Sequence, residues 1–145
     1  MRFFLTLVGC VAWLGGCVGH VRGQPLYPMD DGQPAPPDMV AELSGLVQSV
    51  DGRDVPTGPL ELLPGCHVVT NSTRWGASDS QGSVTATLRP RSFSINMRAS
   101  YSYVIRVERG IMSGSSGSIA LVAEELDPKG NVTRRFQSGQ PCQDP

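Results

Sequence analysis

The feature that most constrains this chain is a period of two, repeated over many short segments. Over 82–88, Val84, Ala86 and Leu88 alternate with Ser83, Thr85 and Thr87. Over 92–98, Phe93, Ile95 and Met97 alternate with Ser94 and Asn96, and over 101–108 Tyr101, Tyr103, Ile105 and Val107 fall on one side. Successive side chains of a strand point to opposite faces, so this pattern marks half-buried strands. Segments 42–50, 60–63, 66–70, 119–126 and 132–136 complete the predicted set. Between them stand turn formers. Asp51-Gly52 is the strongest short hairpin signal, Pro64-Gly65 separates 60–63 from 66–70, and Asp127-Pro128-Lys129-Gly130-Asn131 precedes the last strand. Seventeen Gly and twelve Pro suit many short strands joined by turns. No segment beyond the N-terminus carries a helical stripe; at most 39–46 forms one short helical turn.

These signals predict an all-β domain over 42–142, a small antiparallel β-sandwich or partly open barrel. About 100 residues suffice for one two-sheet core. The expected inward set is Leu46, Val50, Leu62, Val68, Val84, Leu88, Phe93, Ile95, Tyr103, Ile105, Val107, Leu121 and Val122. Trp75 falls in a polar stretch read as a loop over 71–82. Its ring either packs back onto the core or stands exposed for contact with a partner. Glu124-Glu125 and Arg134-Arg135 are the largest charge clusters, read as solvated strand or turn positions. The formal net charge is −1, with no basic block, which argues against nucleic acid as a partner.

The first seventeen residues have a different character. Met1-Arg2 is a short charged start, and FFLTLVGCVAWL over 3–14 is apolar apart from Thr6. This run is shorter than the roughly 20 residues a spanning helix needs. A charged start, a short apolar run and small residues after it form the layout of a secretory signal. Leu14-Gly15-Gly16-Cys17 resembles the lipobox of bacterial lipoproteins. Leu7-Val8-Gly9-Cys10 fits the same pattern but lies too early to leave an adequate apolar run. The resemblance implies cleavage after residue 16, acyl chains on Cys17, and attachment to a membrane through them; two or more chains anchor stably where one does not. Val18 is not Asp, which by analogy with the known sorting rule points to the outer membrane. Residues 17–41 then read as the lipidated Cys and a flexible tether, because five prolines and three glycines lie within 18–41.

With Cys10 removed and Cys17 lipidated, Cys66 and Cys142 remain as an even pair in an oxidising compartment, and a Cys66–Cys142 disulfide is expected. No metal site or cofactor motif is visible. Cys66 and His67 are neighbours in one predicted strand, so their side chains point to opposite faces and do not form a catalytic dyad. The Ser/Gly run over 113–118 fits neither a nucleophile elbow nor a phosphate loop. Asn71-Ser72-Thr73 and Asn131-Val132-Thr133 match the glycosylation sequon, which matters only in a eukaryotic secreted chain.

Four stretches carry a further resemblance: Leu26-Tyr27-Pro28, Val40-Ala41-Glu42-Leu43, Val50-Asp51-Gly52 and Leu63-Pro64-Gly65-Cys66-His67. In these the chain resembles uncharacterised lipoproteins of Gram-negative bacteria, including myxobacteria. The resemblance implies a cell-envelope lipoprotein and supplies no activity or site. The expected function is therefore a non-enzymatic, lipid-anchored accessory, binding or scaffold module whose partner is another envelope protein. The alternatives are a carrier or pilotin-like chaperone of an envelope component, and an envelope hydrolase built from groups on distant strands.

Overall fold

The computed structural model describes residues 22–79, 82–109 and 119–144. Among the described residues twelve strands form: β1 (Gln24–Pro25), β2 (Ala41–Gly45), β3 (Val47–Val50), β4 (Arg53–Asp54), β5 (Leu60–Leu62), β6 (Gly65–Asn71), β7 (Arg74–Asp79), β8 (Gly82–Thr87), β9 (Ser92–Met97), β10 (Ser102–Arg109), β11 (Ile119–Leu126) and β12 (Val132–Phe136). A six-stranded sheet runs β1-β5-β2-β10-β11-β12, a four-stranded sheet β4-β3-β6-β9, and β7-β8 form a separate ribbon. The core lies between the two larger sheets. Ala41, Leu43, Leu60, Leu62, Tyr103, Ile105 and Ala123 come from one, and Val50, Val69, Phe93, Ile95 and Met97 from the other. The fold is an all-β sandwich whose sheets are not closed into a barrel.

Several predicted strands match within a residue, and the Asp51-Gly52 hairpin forms. Ser49 pairs with Asp54 and Val50 with Arg53. Both turn residues have positive φ, 51° and 76°, as a two-residue turn of the required twist demands.

Three sequence expectations needed the second sheet to be visible. The predicted strand 42–50 is two strands in different sheets. At Gly45 (φ +93°) the chain leaves β2, where any Cβ would collide with the carbonyl oxygen of Ile105, and enters β3. Pro64-Gly65 is likewise a corner rather than a hairpin turn, since β5 and β6 belong to different sheets. The sheets are also not wholly antiparallel: β2 runs parallel to β10, and β1 parallel to β5.

The inward set needs correction at Val68, which is 40% exposed. β6 pairs Val69 with Phe93 and Val68 with Ser94, and a one-residue change of parity turns a side chain to the other face. Leu46 and Leu121 pack against the core without being fully buried. Leu88, Val107 and Val122 are half-buried, and the side chain of Val84 lies outside the described set.

Glu124 and Glu125 are not solvated positions; both are buried, on opposite faces of β11. Glu125 points into the sandwich. It accepts hydrogen bonds from Tyr103 Oη (2.8 Å), Thr133 Oγ1 (2.7 Å) and the Arg98 guanidinium. Burial pushes its pKa up, but the bonds from Arg98, Thr133 and Tyr103 outweigh burial and hold it below the usual glutamate value. Burial raises the Tyr103 hydroxyl to about 12. On the outer face, Glu124 is covered by Arg106 (2.9 and 3.1 Å) and Arg135 (3.0 Å). Hydrogen bonding from Arg106 holds its pKa low.

The segment read as a tether packs on the body from Arg22 onward. The Gln24 N–H donates to Pro59 O and the Leu26 N–H to Glu61 O, each at 2.9 Å. Glu61 sits on the outer face of the six-stranded sheet yet is only 4% exposed. Arg22 Nε (2.7 Å) and Tyr27 Oη (3.1 Å) donate to its carboxylate. Val40 and Ala41 are buried. A composition rich in proline and glycine does not exclude packing; here one buried carboxylate holds Arg22 and Tyr27.

Candidate functional site

A cleft of about 480 Å³ opens at one end of the sandwich. Leu26, Tyr27 and Pro28 form one wall, Leu62, Leu63 and Val55 another, and Asp51, Arg53, Asp54 and His67 the polar rim. Leu26 and Leu63 are 36% and 44% exposed. Three stretches singled out in the sequence, 26–28, 50–52 and 63–67, therefore converge on one site although 24 and 13 positions separate their starts.

Asp51 and His67 form the rim's central feature. The positive φ of Asp51 turns its carboxylate back over β6, where Oδ1 accepts the Val68 N–H (2.8 Å) and Oδ2 meets His67 Nδ1 (2.8 Å). The other ring nitrogen, Nε2, lies 2.8 Å from Leu63 O. Partial burial pushes the Asp51 pKa up, but the His67 and Val68 bonds prevail and leave it below the usual aspartate value. A histidine serving as general base needs a free nitrogen facing the nucleophile. Here each ring nitrogen lies 2.8 Å from an oxygen acceptor, so a neutral ring donates to one of them and the imidazolium to both. The pair ties the β3–β4 hairpin, the 63–64 corner and β6 together, and shapes the cleft.

The sequence-predicted positions fall as follows. Cys17 lies outside the described residues, as do the signal segment and the Ser/Gly run over 113–118. Cys66 and Cys142 are joined as a disulfide, with Cα atoms 6.0 Å apart. Cys66 faces outward from β6 while His67 turns toward the cleft, as strand alternation requires. Trp75 is not in a loop: it lies in β7, opposite Ala86 of β8. Its ring is half-buried and is not among the side chains packed on the core. Asn71, the first sequon position, is fully buried and its amide donates to Ser72 O at 2.8 Å, so the folded chain offers no acceptor there. Among the described residues no His/Cys/Asp/Glu group of metal-ligating size occurs, and no helix is long and apolar enough to cross a membrane.

The sequence reading passed over Asp51 as a turn residue and Leu26, Tyr27 and Pro28 as tether. Only the quoted Leu-Tyr-Pro and Val-Asp-Gly stretches hinted at them. Compared with protein-family models, curated proteins and solved structures, the chain matches none.

Proposed function

We propose that this chain is a non-enzymatic binding module of the cell envelope, exported and held at the outer membrane by acyl chains on Cys17, with the cleft as its recognition surface for another envelope protein. The observation that carries the binding role is the wiring of His67. A catalytic imidazole keeps one nitrogen facing the reaction, whereas each nitrogen of this ring faces an oxygen of the cleft wall at 2.8 Å. An open, largely apolar cleft with a few fixed polar groups suits recognition. Export is supported by the Cys66–Cys142 bridge, which persists in oxidising compartments. Leu14-Gly15-Gly16-Cys17 supports the anchor.

The test is the intact mass of the protein extracted from membranes, with and without reductant. The expected species begins at Cys17, carries a diacylglyceryl and a further acyl group, and gains two hydrogens on reduction. A mature chain cut elsewhere and free of lipid refutes the anchor. Detectable hydrolysis lost in His67→Ala refutes the non-enzymatic role.

A further inference from the structure

The β7–β8 ribbon carries a second surface of different chemistry. Its root is organised by Asn71, which is fully buried. Asn71 Oδ1 accepts the Arg91 N–H at 2.6 Å, while Nδ2 donates to Ser72 O and reaches Arg89 O at 3.4 Å. One amide thus sets the backbone at both arginines. Arg74 lies opposite Thr87 in the ribbon. Thr87 borders two adjoining surface cavities, one lined by Arg74 and Trp75 and the other by Arg89 and Arg91. Three exposed arginines therefore surround one threonine, on the open face of the ribbon; Trp75, next to Arg74 in β7 and opposite Ala86, points to the other, more covered face.

The charge on this surface is uncompensated. Arg22, Arg98, Arg106 and Arg135 all sit within ion-pair distance of a carboxylate. Among the described residues, Arg74, Arg89 and Arg91 have no such partner and their side chains make no hydrogen bond. Of the described arginines, Arg53 and Arg134 also lack an ion pair, but neither lines these two cavities; Arg74, Arg89 and Arg91 together leave a local positive surface that an external anion can neutralise.

The position of the ribbon narrows the partner. Arg22 lies beside Ser102 and Leu126 at one end of the six-stranded sheet, and Arg89 and Arg91 lie beside Ala120 and Leu121. Ala120 pairs with Glu108 and Leu126 with Ser102, so the ribbon stands about 20 Å along the strands from the Arg22 end. Five residue steps from Cys17 to Arg22 span at most about 18 Å. On the lipid-anchored reading above, Arg22 is the end held near the bilayer and the ribbon faces away from it. A polyanion met there is not the anchoring membrane.

We propose that the Arg74–Arg89–Arg91 surface is a docking site for an anionic polysaccharide of the envelope. The guanidiniums meet its carboxylate or phosphate groups, whose regular spacing along the polymer lets several arginines engage one chain. Guanidinium forks suit both anions.

The test is binding of purified, folded full-length mature chain to polygalacturonate, with neutral dextran as control. Binding to polygalacturonate and not to dextran is expected, falling steeply with salt. The triple variant R74Q/R89Q/R91Q is expected to lose at least about tenfold in affinity. A variant K129Q/R134Q, which removes two cations elsewhere, is expected to bind as the parent does. Circular dichroism checks that each variant is folded. The proposal is overturned if the parent does not bind at low salt, or if both charge variants weaken equally. It is also overturned if phosphatidylglycerol vesicles or single-stranded DNA bind more tightly than polygalacturonate. Failure of the anchor shows separately, as an unlipidated mass, and leaves polysaccharide binding measurable.

Discussion

Removing the Glu125 side chain should destabilise the sandwich more than removing that of its neighbour Glu124, although both are buried. The two differ in what they leave behind. Glu125→Ala strands the Tyr103 hydroxyl hydrogen in the core, because Tyr103 Oη donates to Glu125 and already accepts the Arg98 N–H at 2.8 Å. An unsatisfied buried hydroxyl costs about 1–3 kcal/mol. The Cγ methylene lost from a fully buried site adds roughly 1 kcal/mol. Arg98 is 35% exposed at its side chain and can turn to water, so it adds little. The expected cost is about 3 kcal/mol, a large share of the 5–15 kcal/mol typical of a domain. Glu124→Ala frees Arg106 and Arg135, whose side chains are 43% and 58% exposed. Both guanidiniums rehydrate, and the expected cost is about 1 kcal/mol. Urea unfolding followed by far-UV circular dichroism, with the disulfide intact, measures both; Trp75 fluorescence reports the ribbon instead. The pH dependence adds a sign. The folded pKa of Glu125 lies below its ordinary value of 4.5, so its contribution is present above the unfolded pKa and is lost as pH falls through the folded one. The penalty of Glu125→Ala should therefore shrink below about pH 4.5. Equal costs for the two alanine variants, or a Glu125 penalty that grows in acid, would refute the account of a carboxylate kept charged by three inward donors.

Gly45→Ala should cost several kcal/mol, roughly 3 or more, because a Cβ there meets the Ile105 carbonyl oxygen and φ is positive; thermal unfolding reads it. Reduction of Cys66–Cys142, which spans 76 positions, should cost up to about 4 kcal/mol and speed hydrogen exchange over 137–144. Asp51→Asn should loosen the cleft rim by about 1 kcal/mol, as the His67 bond loses its charge assistance, and should show as shifted His67 ring resonances. Asn71→Ala should cost about 2–3 kcal/mol by orphaning the Arg91 N–H and loosening the ribbon root, measured by the same urea titration.

Much was legible in the sequence wherever the cause was local. Alternation over 92–98 and 101–108 located β9 and β10, because period two is a property of the strand itself. Asp51-Gly52 specified its hairpin because positive φ is a property of those two residues. The Cys66–Cys142 pairing followed from the cysteine count once the resemblance to a lipoprotein signal set Cys10 and Cys17 aside. Val68 failed because parity depends on the partner strand, and the register β6–β9 is not written in β6.

What only the tertiary structure decided was everything set by a second surface. Glu61 is polar and lies on an outer face, so nothing in 18–41 said that Arg22 and Tyr27 would fold back to cover it. Glu124-Glu125 read as solvated because burial of a carboxylate depends on donors supplied by Arg98, Tyr103, Thr133 and Arg106 from other strands. Gly45 and Pro64-Gly65 read as strand and hairpin because local sequence does not say which sheet the chain enters next. Asp51 and His67, 16 positions apart, became one rim, and Arg74, Arg89 and Arg91 one surface, only when the sheets brought them together. Local propensity determines what each segment is; the packing of two sheets determines which segments meet, because only there do polar groups leave water and need one another.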